Sequence, residues 1–406
     1  MSIIKSILDN DLYKFVMQNA VLSYKPNILV QYKFYNRRPE GRFTSYFAAI
    51  LKEKITEMEK LRLTHDEAIW LEEQCPFLDK RYIDYLRNYR YNPDEVSFRI
   101  TQERELSLCI EGTWESTILW EVPLMAIISE LYFKHCSTNW AYDHNKIVNN
   151  LHQKAYILRN CYWADFGTRR RRTYITQDTV INEFKYYPGF MGTSNVHLAH
   201  KHNVKPIGTI AHEWIMGISA LEGLRHANKH ALRIWGNIYK GNLGIALTDT
   251  FGTDSFLKDF DLYLAKLFDG VRHDSGDPVE FGNKVIKHYS LLGIDSTTKT
   301  IVFSDSLDPE TAAMLEKTFR RQIKTSFGIG TNFTNDFENS RALNMVIKMH
   351  KCDGIPVVKL SDSPTKQMGD QDALRVANIM LKRGDLPKRL WKDNHWVYRD
   401  RKWSKY

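Results

Sequence analysis

Cysteine is scarce and badly spaced for staples. The five residues Cys75, Cys109, Cys136, Cys161 and Cys352 are far apart and contain no C-x-x-C pair, which excludes a disulfide framework and the usual zinc spacing. A reducing compartment is the expectation. No apolar run approaches the ~18 residues of a membrane span, and the opening MSIIKSILDNDLYK meets acidic residues before any long hydrophobic stretch develops. The chain therefore reads as cytoplasmic, without a membrane. Low-complexity segments and internal repeats are also missing. Charge of one sign is not concentrated either: 57 Lys and Arg stand against 48 Asp and Glu, for a net of +9. That surplus favours an anionic ligand such as phosphate. A nucleic-acid partner would call for cations gathered along one face, and here they are dispersed.

At 406 residues and 43% hydrophobic content the chain can bury a full core. Two textures follow each other. Residues 1–140 carry an early helix (DLYKFVMQNAVLSY), alternating strands (ILVQYKFYNR, VSFRITQ, ELSLCIEG) and a charged helical middle, which predicts an α+β domain. Residues 141–362 show short apolar runs, each ending in Gly and polar residues and followed by a helical stretch, the pattern of repeated βα units. The fold class expected is α/β, an irregular βα barrel joined to the N-terminal domain, with residues 363–406 returning to that domain. NMVIKMHK and IPVVKLSD read as a β pair that completes the barrel or returns to the first domain; the boundary at 362 assigns it to the barrel.

In such a barrel the chemistry sits at the carboxyl ends of the strands. One of those ends, LFDGVRHDSGDP, sets Arg272, His273, Asp274, Ser275 and Asp277 within six positions. Arg272 in a strand end needs a partner, because its charge cannot be titrated away. SFGIGTNF supplies glycines around Ile329 and then Thr331, a composition that lets backbone N–H groups approach a phosphate. Asp274, Asp277 and Asp305 are acceptors for sugar hydroxyls or for a hydrated magnesium ion. Mg2+ would bind mainly through substrate phosphates, with no protein cage of its own. Asp277 before Pro278 is also a good helix cap.

The segments DNDLYKFVMQNAVL, FGTRRR, GFMGTSNV, GTIAHEW, VRHDSGDP, GIGTN and LNMVIK…GIPVVKLSDSP occur in the order and approximate spacing of the nicotinate phosphoribosyltransferases, over residues 9–364. The chain resembles that family. The resemblance implies a type II phosphoribosyltransferase fold and a homodimer with active sites shared across its interface. It also implies a ligase-type reaction joining nicotinate to phosphoribosyl pyrophosphate, coupled to ATP hydrolysis, in NAD biosynthesis.

By that resemblance Phe166 stacks on the nicotinate ring, Tyr13 comes from the neighbouring subunit, Arg272 and Thr209 engage the carboxylate, and Ser194 lies nearby. Arg169, Thr331, the Gly328 and Gly330 backbone, and Lys348 from the other subunit bind phosphate, while Asp274 and Asp305 serve the phosphoribosyl group. Of Arg169 to Arg172 only Arg169 is assigned to the site, the rest being read as dimer or surface charges. His212, opening the helical EWIMGISALEG, is the implied phosphohistidine, with Asp249 expected to orient its ring. A flat ring with a carboxylate suits an aromatic sandwich closed by an arginine, in keeping with these assignments.

Two other classes fit less well. A barrel glycoside hydrolase would pair Asp274 with Asp305 but needs neither a Gly-rich phosphate loop nor an arginine run. A nicotinamide-using relative would carry an aspartate where this chain has Ser194.

Overall fold

The computed structural model describes residues 2–37, 42–137 and 139–381, and the backbone of two further strands at Arg389–Lys392 and His395–Tyr398. Most of the basic segments at 381–389 and 398–406 lie outside the described residues, as does much of the expected return of 363–406.

Eleven strands form two sheets. The first is antiparallel and built from β1 (Leu29–Asn36), β2 (Val96–Ile100) and β3 (Leu106–Thr113), with β2 and β3 joined in register from Val96↔Ile110 to Ile100↔Leu106. The second is parallel: β4 (Trp163–Asp165), β5 (Phe190–Thr193), β6 (Ile245–Leu247), β7 (Gly270–His273), β8 (Thr300–Phe303) and β9 (Lys324–Ile329), in the order β5-β4-β9-β8-β7-β6. Helices connect its strands, as parallel neighbours require. A parallel bridge from Thr193 to Pro206 extends it past β5. Six strands and a bridge make an irregular βα barrel rather than a regular eightfold one.

The strands β10 (Met345–Cys352) and β11 (Ile355–Pro356) do not complete the barrel. β10 pairs antiparallel with β1 from Val30↔Cys352 to Asn36↔Met345, so the first sheet runs β11-β10-β1-β3-β2. The boundary at 362 is corrected on this point. The physical reason is that β1 would otherwise be a sheet edge with Tyr32 and Phe34 buried on it, and β10 covers that edge with Met345, Ile347 and Met349 turned into the core.

Between the sheets runs the helix Glu121–His135, preceded by short helical turns from Trp114. The 22-residue stretch Trp114–His135 is long and apolar enough to cross a membrane, contrary to the expectation from runs of apolar residues, but 83% of its most apolar window is buried inside the protein. It is a core helix.

The arginine run is also more interior than expected. Arg171 and Arg172 are fully buried, not surface charges. Arg171 makes a two-pronged pair with Asp9 at 2.7 and 2.9 Å, and Arg172 lies under the rings of Phe133, Phe337 and Trp140 while donating to Asn335 and Ser340. Long-range partners satisfy these cations. They fasten the N-terminal residues and the segment after β9 around the turn that carries Arg169.

Candidate active site

The parallel strands end along one edge, and each delivers polar groups there. Phe166 follows β4, Ser194 follows β5, Thr248 and Asp249 follow β6, Asp274 follows β7, Ser304 and Asp305 follow β8, and Gly330 and Thr331 follow β9.

One face of this sheet has unusually small side chains. Register aligns Arg272 with Val302, Val302 with Ser326, and Ala164 with Gly328, so these residues share a face. The Phe166 ring lies on that same face against Gly328, where an added Cβ would stand 2.3 Å from its ring carbons. Gly328 is therefore a floor for the ring; it is buried inside β9, which corrects its assignment as a phosphate-binding amide. β9 and β8 separate the strand that ends at Phe166 from that of Arg272, and Gly328, against which the ring rests, is two strand spacings from Arg272, about 10 Å. Nε of Arg272 and the hydroxyl of Tyr13 are buried with no hydrogen-bond partner among the described residues. Buried polar atoms of that kind call for a ligand or solvent.

Tyr13 and Lys348 have close neighbours within their own chain. Backbone N–H of Leu12 donates to Ser194 O at 2.8 Å, and the Ser194 hydroxyl donates to Asp11 at 2.7 Å. The loop holding Thr209, half-buried, follows Gly208, where a Cβ would come within 2.8 Å of the Tyr13 nitrogen. Lys348 on β10 and Arg169 both reach Glu121 of the same chain, at 3.8 and 3.4 Å. β10 and the first helix fold onto the barrel of their own chain, which sets Lys348 beside Arg169 and Tyr13 beside the Thr209 loop. Ser194 is corrected too: its hydroxyl proton is committed to Asp11.

His212 is the first residue of the helix His212–Glu222 and is buried. Its Nδ1 lies 2.9 Å from Thr250 Oγ1, and its Nε2 lies 2.8 Å from Asp274 Oδ2 and 2.9 Å from Lys359 Nζ. Asp249 stands 3.7 Å off, and its carboxylate accepts from Ser275 at 2.6 Å and pairs with Lys359 at 3.1 Å. Thr250, not Asp249, orients the ring. Burial, reinforced by the Lys359 ammonium, pushes the His212 pKa down to about 4 against the pull of both carboxylates. The ring is neutral at physiological pH, with a lone pair for an electrophile. His212, Asp249 and Asp274 approach within 4.8 Å, as in a metal site, but Lys359 already supplies the cation among them.

Nearby, Lys366 donates to the Asp274 carbonyl at 2.8 Å and pairs with Asp305. Asp277 caps the helix Pro278–Leu291 by accepting from the N–H groups of Val279 and Glu280. Arg170 has its pKa lowered to about 10 by burial and by the charges of Arg169 and Arg37. Three arginines therefore gather near Asp274 and Asp305. Sequence reasoning missed Arg37, Arg170, Thr250, Lys359 and Lys366; the signal for Lys359 was its place in KLSDSP, shortly after β10 and β11.

Comparison with known proteins identifies the family. The family model of the nicotinate phosphoribosyltransferases matches residues 161–384, and that of their N-terminal domain matches residues 8–129. The chain belongs to the nicotinate phosphoribosyltransferase family. It is 50% identical to the nicotinate phosphoribosyltransferase of Methanococcoides burtonii, over 94% of this chain and 99% of the relative. It is 46% identical to that of Chromohalobacter salexigens, over 93% and 98%. Among solved structures, the nicotinate phosphoribosyltransferase of Porphyromonas gingivalis superposes with a TM-score of 0.90 at 39% identity, covering 94% of this chain and all (100%) of that one. The Vibrio cholerae enzyme gives 0.88 at 36%, covering 94% of each. The N-terminal domain model covers β1 to β3, and the other model covers the whole parallel sheet together with β10 and β11.

Proposed function

We propose that this chain joins nicotinate to phosphoribosyl pyrophosphate, releasing nicotinate mononucleotide and pyrophosphate, and that ATP hydrolysis is coupled to the reaction through phosphorylation of His212. The observation that carries it is the shared sheet face on which the Phe166 ring rests against Gly328 while Arg272, two strands from Gly328, keeps a buried Nε without a hydrogen-bond partner among the described residues. An aromatic platform facing a guanidinium is what a flat ring bearing a carboxylate needs.

In this reading the pyridine nitrogen attacks the anomeric carbon with its own lone pair. The carbon–nitrogen bond forms as the carbon–oxygen bond to pyrophosphate breaks, and the electron pair leaves with pyrophosphate. No general base is required, so catalysis is positioning and charge stabilisation. Tyr13 and Phe166 bracket the base, and Thr209 assists Arg272. Arg169, Lys348, Arg37, Arg170, Gly330 and Thr331 neutralise phosphate, and Asp305 with Lys366 borders the ribose. Asp274, 2.8 Å from His212 Nε2 and 3.7 Å from the Lys359 ammonium, stands between the two half-reactions. Magnesium enters with the phosphoribosyl pyrophosphate and ATP as part of those substrates. In the ATP step the neutral His212 ring attacks the γ-phosphorus through Nε2, ADP leaves, and water later returns the ring and phosphate. Five free cysteines accord with a cytoplasmic setting and a role in NAD biosynthesis.

The test is a base panel: pure protein with phosphoribosyl pyrophosphate, magnesium, ATP and either nicotinate, nicotinamide or quinolinate. Mononucleotide is expected with nicotinate; a preference for either alternative base would refute the reading.

A further inference from the structure

Behind the site lies a chain of buried charges that the reaction as described does not use. Lys14 is fully buried, directly after Tyr13, and its ammonium contacts Glu121 Oε2 at 2.6 Å and Glu213 Oε2. Glu213 follows His212 in the first turn of its helix, and its other oxygen accepts from Tyr32 at 2.6 Å and Trp114 at 2.7 Å. Glu121 Oε1 faces Arg169 at 3.4 Å and Lys348 at 3.8 Å. One buried node therefore touches the carriers of three functions: the helix of Tyr13, the helix of His212, and the cations assigned to phosphate.

The two oxygens of Glu121 are held unequally. A full charge-assisted N–H···O bond runs about 2.7–2.9 Å. Oε2 makes such a contact with Lys14, whereas Oε1 is shared at longer range between two cations. Arg169 and Lys348 are thus loosely neutralised, and a substrate phosphate competes with Oε1 for them. Burial lowers the Lys348 pKa to about 8 against the opposing pull of Glu121, so an anion arriving there is favoured. Once those cations turn to phosphate, the Glu121 charge falls on Lys14 alone, and the hold of Lys14 on Glu213 changes with it.

We propose that Glu121, Lys14 and Glu213 form a buried ionic link that couples phosphate capture at Arg169 and Lys348 to the seating of His212, with Glu121 as a positioning residue. The inference rests on the reading of His212 as a phosphoryl acceptor. Coupling is reciprocal: a phosphoryl group on His212 alters affinity for phosphoribosyl pyrophosphate by the same factor that this substrate alters phosphorylation. Couplings between sites commonly amount to about 5- to 150-fold.

Two variants cut the link at different ends. Glu121→Gln removes the charge shared by Arg169 and Lys348. Glu213→Gln keeps an oxygen for Tyr32 and Trp114, leaves both phosphate cations untouched, and removes only the charge facing Lys14. The measurement is the dissociation constant of phosphoribosyl pyrophosphate with and without ATP, beside acid-labile labelling of His212 by γ-labelled ATP. The wild-type ratio of the two constants should be at least about fivefold. Each variant should bring it to within about twofold of one while His212 is still labelled. Lower thermal stability or turnover with the ratio intact would mean a merely structural role and would overturn the proposal, as would a wild-type ratio of one. An unlabelled wild type would instead sink the phosphohistidine reading, and the link with it. Should Glu121→Gln fail to fold, Glu213→Gln decides alone.

Discussion

Nζ of Lys359 lies 2.9 Å from Nε2 of His212, between that ring and the carboxylates of Asp249 and Asp274. One ring nitrogen cannot both accept from Lys359 and donate to Asp274. With Lys359 donating, Nε2 is the unprotonated nitrogen, its lone pair held by the ammonium until an electrophile takes that place, and Nδ1–H donates to Thr250. A fixed cation thereby sets the tautomer that phosphoryl transfer requires.

Removing that cation should raise the His212 pKa, because Asp249 and Asp274 then act unopposed. In wild type, where the ring titrates at about 4, labelling by ATP should hold level from neutrality down to about pH 5. In Lys359→Met burial still holds the pKa down, but without the ammonium the acid limb should move upward from about 4. His212→Asn should abolish labelling at every pH while ATP-independent turnover continues. Labelling profiles of the three proteins check this; coincident acid limbs for wild type and Lys359→Met would contradict it.

Gly328→Ala should damage nicotinate binding without touching the substrate. The new methyl would overlap the Phe166 ring, and overpacking of this kind costs ~1–3 kcal/mol. Relief comes by displacing Phe166, so the KM for nicotinate should rise more than that for phosphoribosyl pyrophosphate. Kinetics on the folded variant checks it, with equal effects on both substrates as the adverse result.

Because Tyr13 and Lys348 sit in the site of their own chain, mixing Tyr13→Ala with Arg272→Ala should restore no activity. Recovered turnover after subunit exchange, with exchange verified by mass, would place one of these residues across an interface.

The parallel sheet was legible because each βα unit is local: an apolar run, then Gly and polar residues, then a helical stretch. The strand ends carrying Phe166, Asp274 and Thr331 were found for that reason. β10 was harder. Its pairing with β1 joins segments from opposite ends of the described chain, and an alternating strand carries no mark of its partner. Arg171 and Arg172 looked like surface charges because their partners, Asp9 for one and the Phe133, Trp140 and Phe337 rings for the other, are remote in sequence. Asp249 is legible as the acidic residue at the end of the next strand, whereas the turn after β6 aims the neighbouring Thr250 hydroxyl at Nδ1 and leaves Asp249 3.7 Å from Nε2.

The most direct test concerns Arg272 and the carboxylate it is held to recognise. Arg272→Gln keeps a polar side chain on the inner face but removes the guanidinium, so nicotinate loses a charged partner and neutral nicotinamide does not. Steady-state kinetics with both bases should show the kcat/KM ratio of nicotinate to nicotinamide falling at least about tenfold, the equivalent of ~1.4 kcal/mol. A ratio equal to that of wild type would mean that Arg272 does not meet the carboxylate, and the site as built on this sheet face would be wrong.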